Sequence, residues 1–106
     1  MWSMTIENSA NALILLRVTT LEQPSQDRVF KHGVIQQFVP RKNDGFLVGA
    51  LNVSAKIESV DWTIIDEGRL ILLVKASVHV LNMNRARVKS LLDAGWEEHK
   101  PIKRGW

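Results

Sequence analysis

Apolar residues along this chain fall into short runs, several of them alternating with polar residues as β-strands do. The stretch NALILLRVTTLEQ is rich in aliphatic and β-branched residues and ends at the turn-forming QPS, so it predicts a first strand. Apolar residues recur from 46 to 65 and from 70 to 81, on either side of the sequence DEGR. That sequence predicts a tight turn in which Gly68 takes a positive φ, because glycine carries no Cβ. The two later runs therefore predict a β-hairpin.

The first strand of this hairpin changes phase near residue 58. Odd-numbered apolar residues come first and even-numbered ones follow: Val53, Ala55 and Ile57, then Val60, Trp62 and Ile64. One extra residue in the strand would return the apolar side chains to a single face. We therefore predict a β-bulge at Glu58 and Ser59.

The segment SQDRVFKHGVIQQFVP has the spacing of a helix. Phe30, Val34 and Phe38 recur every four residues, and Pro40 lies just beyond them. Gly33 stands in the middle of this pattern and weakens a helix. The pattern favours a first helix here, and a strand is the alternative.

A second helix is predicted over NMNRARVKSLLDAGW, and both of its ends carry capping signals. Asn84 is the predicted N-cap, and Gly95 fits the left-handed position that follows a helix C-terminus. The buried stripe of this helix is predicted to be Val88, Leu91 and Leu92. Trp96 should fold back on Leu91, and a short final strand should follow near residues 96–100.

The predicted element order is β-α-β-β-α-β, which resembles the split arrangement of ferredoxin-like domains. It predicts a single α+β domain over residues 1–106, with an antiparallel sheet, two helices, and flexible or docking termini at 1–9 and 101–106. The first and third strands are then central neighbours, and both contain the apolar sequence LILL. If residues 29–39 are extended instead, the alternative is a more curved sheet with one C-terminal helix.

Apolar residues occupy both faces of the first and third predicted strands, which is more than a solvated sheet face usually tolerates. The excess lies on the face away from the helices, at Leu13, Leu15, Ile71 and Leu73. A second copy is the simplest cover, because most soluble oligomers are symmetric homodimers, so these residues are the predicted interface. Alternatively, the termini of the chain cover this face, or two copies enclose a small molecule. The polar residues beside such a ligand would be Arg17, Lys75 and His79.

Basic residues are concentrated at the C-terminal end of the chain. The chain carries 14 Lys and Arg against 11 Asp and Glu, a formal net charge of +3. The two signs balance up to Asn84, so the excess lies between Arg85 and Trp106. Such asymmetry is typical of a contact with nucleic acid or another anionic surface, although lysine and arginine are also simply solvated in most proteins.

The second helix opens with basic residues, against its own dipole. A helix N-terminus carries partial positive charge and favours acidic residues, whereas Arg85, Arg87 and Lys89 stand at this one. Basic side chains around free backbone N–H groups suit a phosphate. The predicted anion-binding residues are therefore Arg85, Arg87, Lys89, Lys100, Lys103 and Arg104. The alternative is that the helix residues pair with acidic residues of the same chain.

No motif for catalysis, a metal or a cofactor is present in the sequence. The chain has no cysteine, which excludes disulfides and thiolate chemistry. His32, His79 and His99 are not spaced as metal ligands, and there is no glycine-rich phosphate loop. We therefore expect a non-catalytic, homodimeric binding protein that contacts nucleic acid, with a protein-interaction or assembly module as the alternative.

The sequence also predicts the compartment. The longest apolar runs, ALILL and LILLV, are too short to cross a bilayer, and the N-terminus lacks the pattern of a signal peptide. We therefore expect a cytoplasmic protein.

Overall fold

The structure is a computed structural model that describes residues 10–23, 27–35, 39–64 and 68–99. These residues form strands and one short helix. The strands are β1 (Ala12–Thr20), β2 (Arg28–Val34), β3 (Gly45–Val48), β4 (Val53–Ile64), β5 (Leu70–Val80) and β6 (Glu97–His99). The helix α1 (Arg85–Asp93) lies between β5 and β6 in the chain. The termini at 1–9 and 101–106, which were predicted to be flexible or docking segments, lie outside the described residues.

All six strands belong to one mixed sheet, in the order β3-β4-β5-β1-β2-β6. β1 and β5 are central neighbours, as the LILL runs predict, but they are parallel, with Ala12 beside Leu72 and Thr20 beside Val80. The other neighbouring pairs are antiparallel. The predicted antiparallel sheet is therefore wrong at its centre. The chain reaches β5 through a β3-β4-β5 meander that brings it back beside β1 in the same direction.

The predicted first helix is also wrong, because residues 28–34 form strand β2. β2 is antiparallel to β1, and Phe30 lies opposite Leu16 while Val34 lies opposite Ala12. A spacing of four residues is two periods of a strand as well as about one turn of a helix, so Phe30 and Val34 share a face in both. Phe38, the third residue of that pattern, lies outside the described residues. The ferredoxin-like order with two helices is thus replaced by a sheet with a single short helix.

The main core lies between the sheet and α1, on what we call the helix face. Even-numbered residues of β1 and β5 fill this core with fully or nearly buried side chains, among them Leu16, Val18, Val74 and Ala76. Phe30 from β2 and Leu91 from α1 are both 0% exposed within it. The alternation read from the sequence is confirmed over Leu72–Val80. Leu70, at the end of β5, is 57% exposed instead.

The stretch from 46 to 65, read as one extended segment, is two strands joined by a turn. β3 ends at Val48, and backbone bonds from Leu51 to Val48 and from Asn52 to Gly49 close the turn before β4. The predicted bulge in β4 is confirmed by a register shift between Ile57 and Ser59. Because β3 has only four residues, it pairs with only the first four residues of the twelve-residue β4.

The ends of α1 match the capping signals of the sequence. The Asn84 Oδ1 accepts a hydrogen bond from the Arg87 backbone N–H at 2.9 Å. Gly95 has a φ of +98°, and the N–H of Trp96 donates to the Leu91 carbonyl at 3.0 Å. This is the Schellman arrangement, which turns the chain back towards the core. Trp96 is therefore buried, with its ring edge-on to His32 at 5.1 Å between centroids.

Candidate interaction surfaces

The basic residues at the start of α1 are partly engaged within the chain. Arg87 donates from Nη1 to the Asn82 carbonyl at 2.6 Å, and Lys89 forms an ion pair with Asp93 at 2.8 Å. The hydrogen bond to Asp93 raises the pKa of Lys89. Arg85 is exposed and makes no ion pair with any described residue. Of the three predicted anion-binding residues of the helix, Arg85 alone is thus fully available, and Lys100, Lys103 and Arg104 lie outside the described residues.

A polar cleft of about 610 Å³ opens beside this helix start, where the two parallel strands end. It is lined by Thr20, Glu22, Gln23, Asp27, Arg28, Asn82, Met83 and Asn84. Arg28 already holds Glu98 through two hydrogen bonds of 2.7 Å, which raise the pKa of its guanidinium. Of the two carboxylates of the lining, Asp27 lies 3.7 Å from the Arg17 guanidinium, and Glu22 adds a negative charge that Arg28, already paired with Glu98, does not balance. This charge balance does not favour an anion in the cleft.

The four predicted interface residues lie together on the face opposite α1, which we call the second face. Leu13, Leu15, Ile71 and Leu73 form one cluster with Ala10 and Val29. Each of the four is at most 8% exposed within the single chain. A dimer through them would first require this face to be uncovered. The interface through these residues remains a prediction. A partner is not required to bury them, because they are already buried within one chain.

Arg17, Lys75 and His79 also share the second face. The parallel register places Arg17 beside Ser77, Lys75 beside Leu15, and His79 beside Thr19. Arg17 lies 3.7 Å from an Asp27 carboxylate oxygen, and Lys75 also has an interaction within the chain. Arg17 and Lys75 therefore both have interactions within the chain, and small-molecule binding here remains a prediction.

A strip of exposed apolar side chains lies on the helix face at the end of the β4-β5 hairpin. Trp62, Ile64 and Leu70 are 62%, 66% and 57% exposed. Trp62 lies opposite Leu72, and Ile64 lies opposite Leu70, so the three are direct neighbours on two paired strands. We call these three residues the apolar strip. Contiguous exposed apolar residues of this kind mark interaction sites more often than isolated ones do.

The strip adjoins a free strand edge. β3 pairs with Val53–Lys56, and two more backbone bonds extend this contact to Ile57: the Asn43 N–H donates to the Ile57 carbonyl, and the Ile57 N–H donates to the Asp44 carbonyl. From Glu58 to Ile64 the outer side of β4 pairs with no strand in the described part of the chain. Its outward N–H and C=O groups form a template for another strand. We call residues 58–64 the open edge.

The opposite edge of the sheet is built differently. It is β6, a strand of only three residues, Glu97, Glu98 and His99. Glu98 is tied to Arg28, and Glu97 lies 3.7 Å from the Lys31 Nζ. Short strands and charged residues are the usual protection of an edge against pairing with another chain. The open edge has much less of this protection, because Asp61 is the single charged residue among Ser59–Ile64.

Sequence reasoning missed the open edge because it joined β3 and β4 into one extended segment. The signal that could have divided them is GALN at 49–52, whose glycine and asparagine are typical turn residues. A turn there leaves a partner strand of about four residues for β4. The remainder of β4 would then have been predicted to lack a partner on one side.

The described residues give no sign of a metal centre or a membrane span. No group of three or more His, Asp or Glu side chains among them could hold a metal ion. No helix in the described ranges is long and apolar enough to cross a membrane. Comparison with protein families, curated proteins and solved structures finds no match to this chain.

Proposed function

We propose that this protein is a non-catalytic protein-interaction module that docks an extended partner segment along the open edge of β4. The observation that carries the proposal is the coincidence of two features on one hairpin. The open edge offers backbone groups that pair with no strand among the described residues, and the apolar strip lies on the same hairpin. Strand addition to a sheet edge uses both, because backbone hydrogen bonds supply affinity and alternate side chains supply specificity.

The chemistry of the open edge favours docking over simple solvation. No proline interrupts residues 58–64, and the bulge lies at their beginning rather than in their middle. The Glu58 carboxylate is held against β5, since its Oε1 accepts a hydrogen bond from the Ser77 hydroxyl at 2.6 Å. This bond is the main reason that the pKa of Glu58 is lowered. Five consecutive residues with one charge, Val60–Ile64, remain available to a partner strand.

A short synthetic strand tests the docking proposal. An eight-residue peptide of alternating valine and threonine should bind, and its amide chemical-shift effects should centre on Ser59–Ile64. Replacing Trp62 with alanine should weaken the binding by about tenfold or more, because an exposed tryptophan at a docking site is a common hot spot. Leu47→Ala, which removes a 65% exposed side chain outside the strip, is the matched control.

A second peptide controls for non-specific apolar binding. The same sequence with every backbone nitrogen methylated cannot donate to β4 from either of its edges, so it should not bind. Equal binding of both peptides, or shift effects centred on β2 and β6, would contradict docking at the open edge.

We retain anion binding at the start of α1 as a second proposal, with nucleic acid as the favoured partner. Its support is the exposure of Arg85 and the absence of acidic residues from the first turn of α1. Binding of this kind should weaken steeply as salt is raised. It concerns a different surface from the open edge and does not depend on it.

A further inference from the structure

We infer that the partner segment is the open edge of a second copy of this chain, paired antiparallel about a two-fold axis at Trp62. This inference rests on the proposed docking at the open edge. A two-fold axis makes the same surface meet itself, which is the commonest arrangement in soluble oligomers. Joining the two sheets in this way would extend each six-stranded sheet through its partner and leave neither β4 edge unpaired.

The side chains of β4 are self-complementary in this register. Trp62 meets Trp62 of the partner subunit, and Val60 meets Ile64 of the partner subunit. All of these residues lie on the helix face, so the two apolar strips join on one side of the combined sheet. Aromatic and β-branched residues are favourable neighbours across paired strands. Trp62 and Ile64 of each copy would gain apolar neighbours across the new strand pair, whereas Leu70 on β5 lies one strand away from the contact.

Charge selects this register over its neighbours. An axis at Asp61 would place two Asp61 carboxylates directly opposite each other, which is unfavourable. An axis at Thr63 would shorten the paired segment to three residues, because β4 ends at Ile64. With the axis at Trp62, Asp61 lies opposite Thr63 of the partner subunit and five residues of each strand pair. The register also leaves the bulge at Glu58 outside the contact.

Because the chain has no cysteine, single substitutions give an unambiguous test by disulfide cross-linking. Directly opposite residues have Cβ atoms about 4.5–5.5 Å apart, whereas residues displaced by two positions are too distant for a disulfide. Full-length Val60→Cys mixed with full-length Ile64→Cys should therefore give a cross-linked dimer under mild oxidation. Asp61→Cys mixed with Thr63→Cys should do the same on the other face of the sheet.

Each cysteine variant on its own is the first control. With the axis at Trp62, residue 62 is the single position that lies opposite the same position of the partner subunit, so a lone variant places its two cysteines too far apart for a disulfide. Ser54→Cys is the second control, since Ser54 is exposed but lies where β3 already covers the edge. Each control should give a much lower yield of cross-linked dimer than the two mixtures of variants. The wild-type chain should sediment as a dimer at micromolar concentration.

Two results would overturn the inference in different ways. Cross-linking of Val60→Cys or Ile64→Cys with itself, without the mixed product, would contradict the register. A wild-type chain that stays monomeric at about 100 micromolar, where a dimer with a micromolar Kd is mostly formed, would contradict pairing with a second copy. If that monomer still binds the valine-threonine peptide at Ser59–Ile64, docking survives and only the identity of the partner fails. If it does not bind, both proposals fail.

Discussion

Replacing Trp96 with alanine should lower the free energy of unfolding by about 3–5 kcal/mol. The ring is 8% exposed and belongs to the main core, where it lies against the sheet beside Leu91 and meets the His32 ring edge-on. Alanine would remove a large apolar surface and leave a cavity under the end of α1. Urea unfolding followed by far-ultraviolet circular dichroism measures the loss.

The matched control is the same substitution at Trp62, which is 62% exposed. In a dilute sample, where copies are not associated, Trp62→Ala should change the free energy of unfolding by less than about 1 kcal/mol. Equal losses for the two variants would contradict the placement of Trp96 in the core and of Trp62 on the surface.

Leu15→Ala should cost about 2–5 kcal/mol of unfolding free energy. Leu15 is 1% exposed on the second face, at the centre of the cluster that includes Leu13 and Ile71. Because this burial occurs within one chain, the loss should be the same at any protein concentration. Leu21→Ala, at a 71% exposed position, should have little effect and serves as the control.

The response of Leu15→Ala to protein concentration distinguishes burial within the chain from burial in a dimer. A dimer through β4 would itself make the apparent stability of the wild type rise with protein concentration, and Leu15→Ala would keep that rise. If Leu15 were covered by a second copy, Leu15→Ala would abolish the rise instead. Such a result would restore the leucines of the second face as the dimer interface. It would also remove the main reason to seek that interface at β4.

Local signals in the sequence predicted the parts of the fold that depend on neighbouring residues. The capping roles of Asn84 and Gly95, the positive φ of Gly68 and the bulge after Ile57 were each predicted and are each found. These features depend on residue types at fixed offsets along the chain. The placement of Ile71 and Leu73 on the face away from α1 belongs to the same class, because the period of two follows directly from strand geometry.

Features that depend on distant residues were predicted less well. The spacing of Phe30 and Val34 fits both a helix and a strand, and pairing with β1 decides between them. Nothing in the alternation of β1 and β5 encodes whether they run parallel, since direction is set by the connections between strands. The two-helix prediction was wrong because it did not take into account the pairing of β2 with β1.

The candidate sites follow the same division. The basic residues of α1 are evident in the sequence, but the carbonyl of Asn82 that holds Arg87 is identified only by the fold. The three leucines and one isoleucine of the second face were correctly grouped, yet their burial within one chain could not be read from alternation. The open edge depends on the length of β3, which the sequence analysis did not separate from β4.

Amide hydrogen exchange along β4, measured residue by residue in a dilute sample, tests the central claim most directly. In an antiparallel pair, alternate N–H groups of a strand point away from its neighbour. If residues 58–64 form an open edge, every second amide there should exchange with little protection, while the amides between them and those of β1 stay protected. The unprotected amides should gain protection as the protein concentration rises. Uniform protection of Glu58–Ile64 in the dilute sample would show that the chain covers this edge itself, and would contradict the claim.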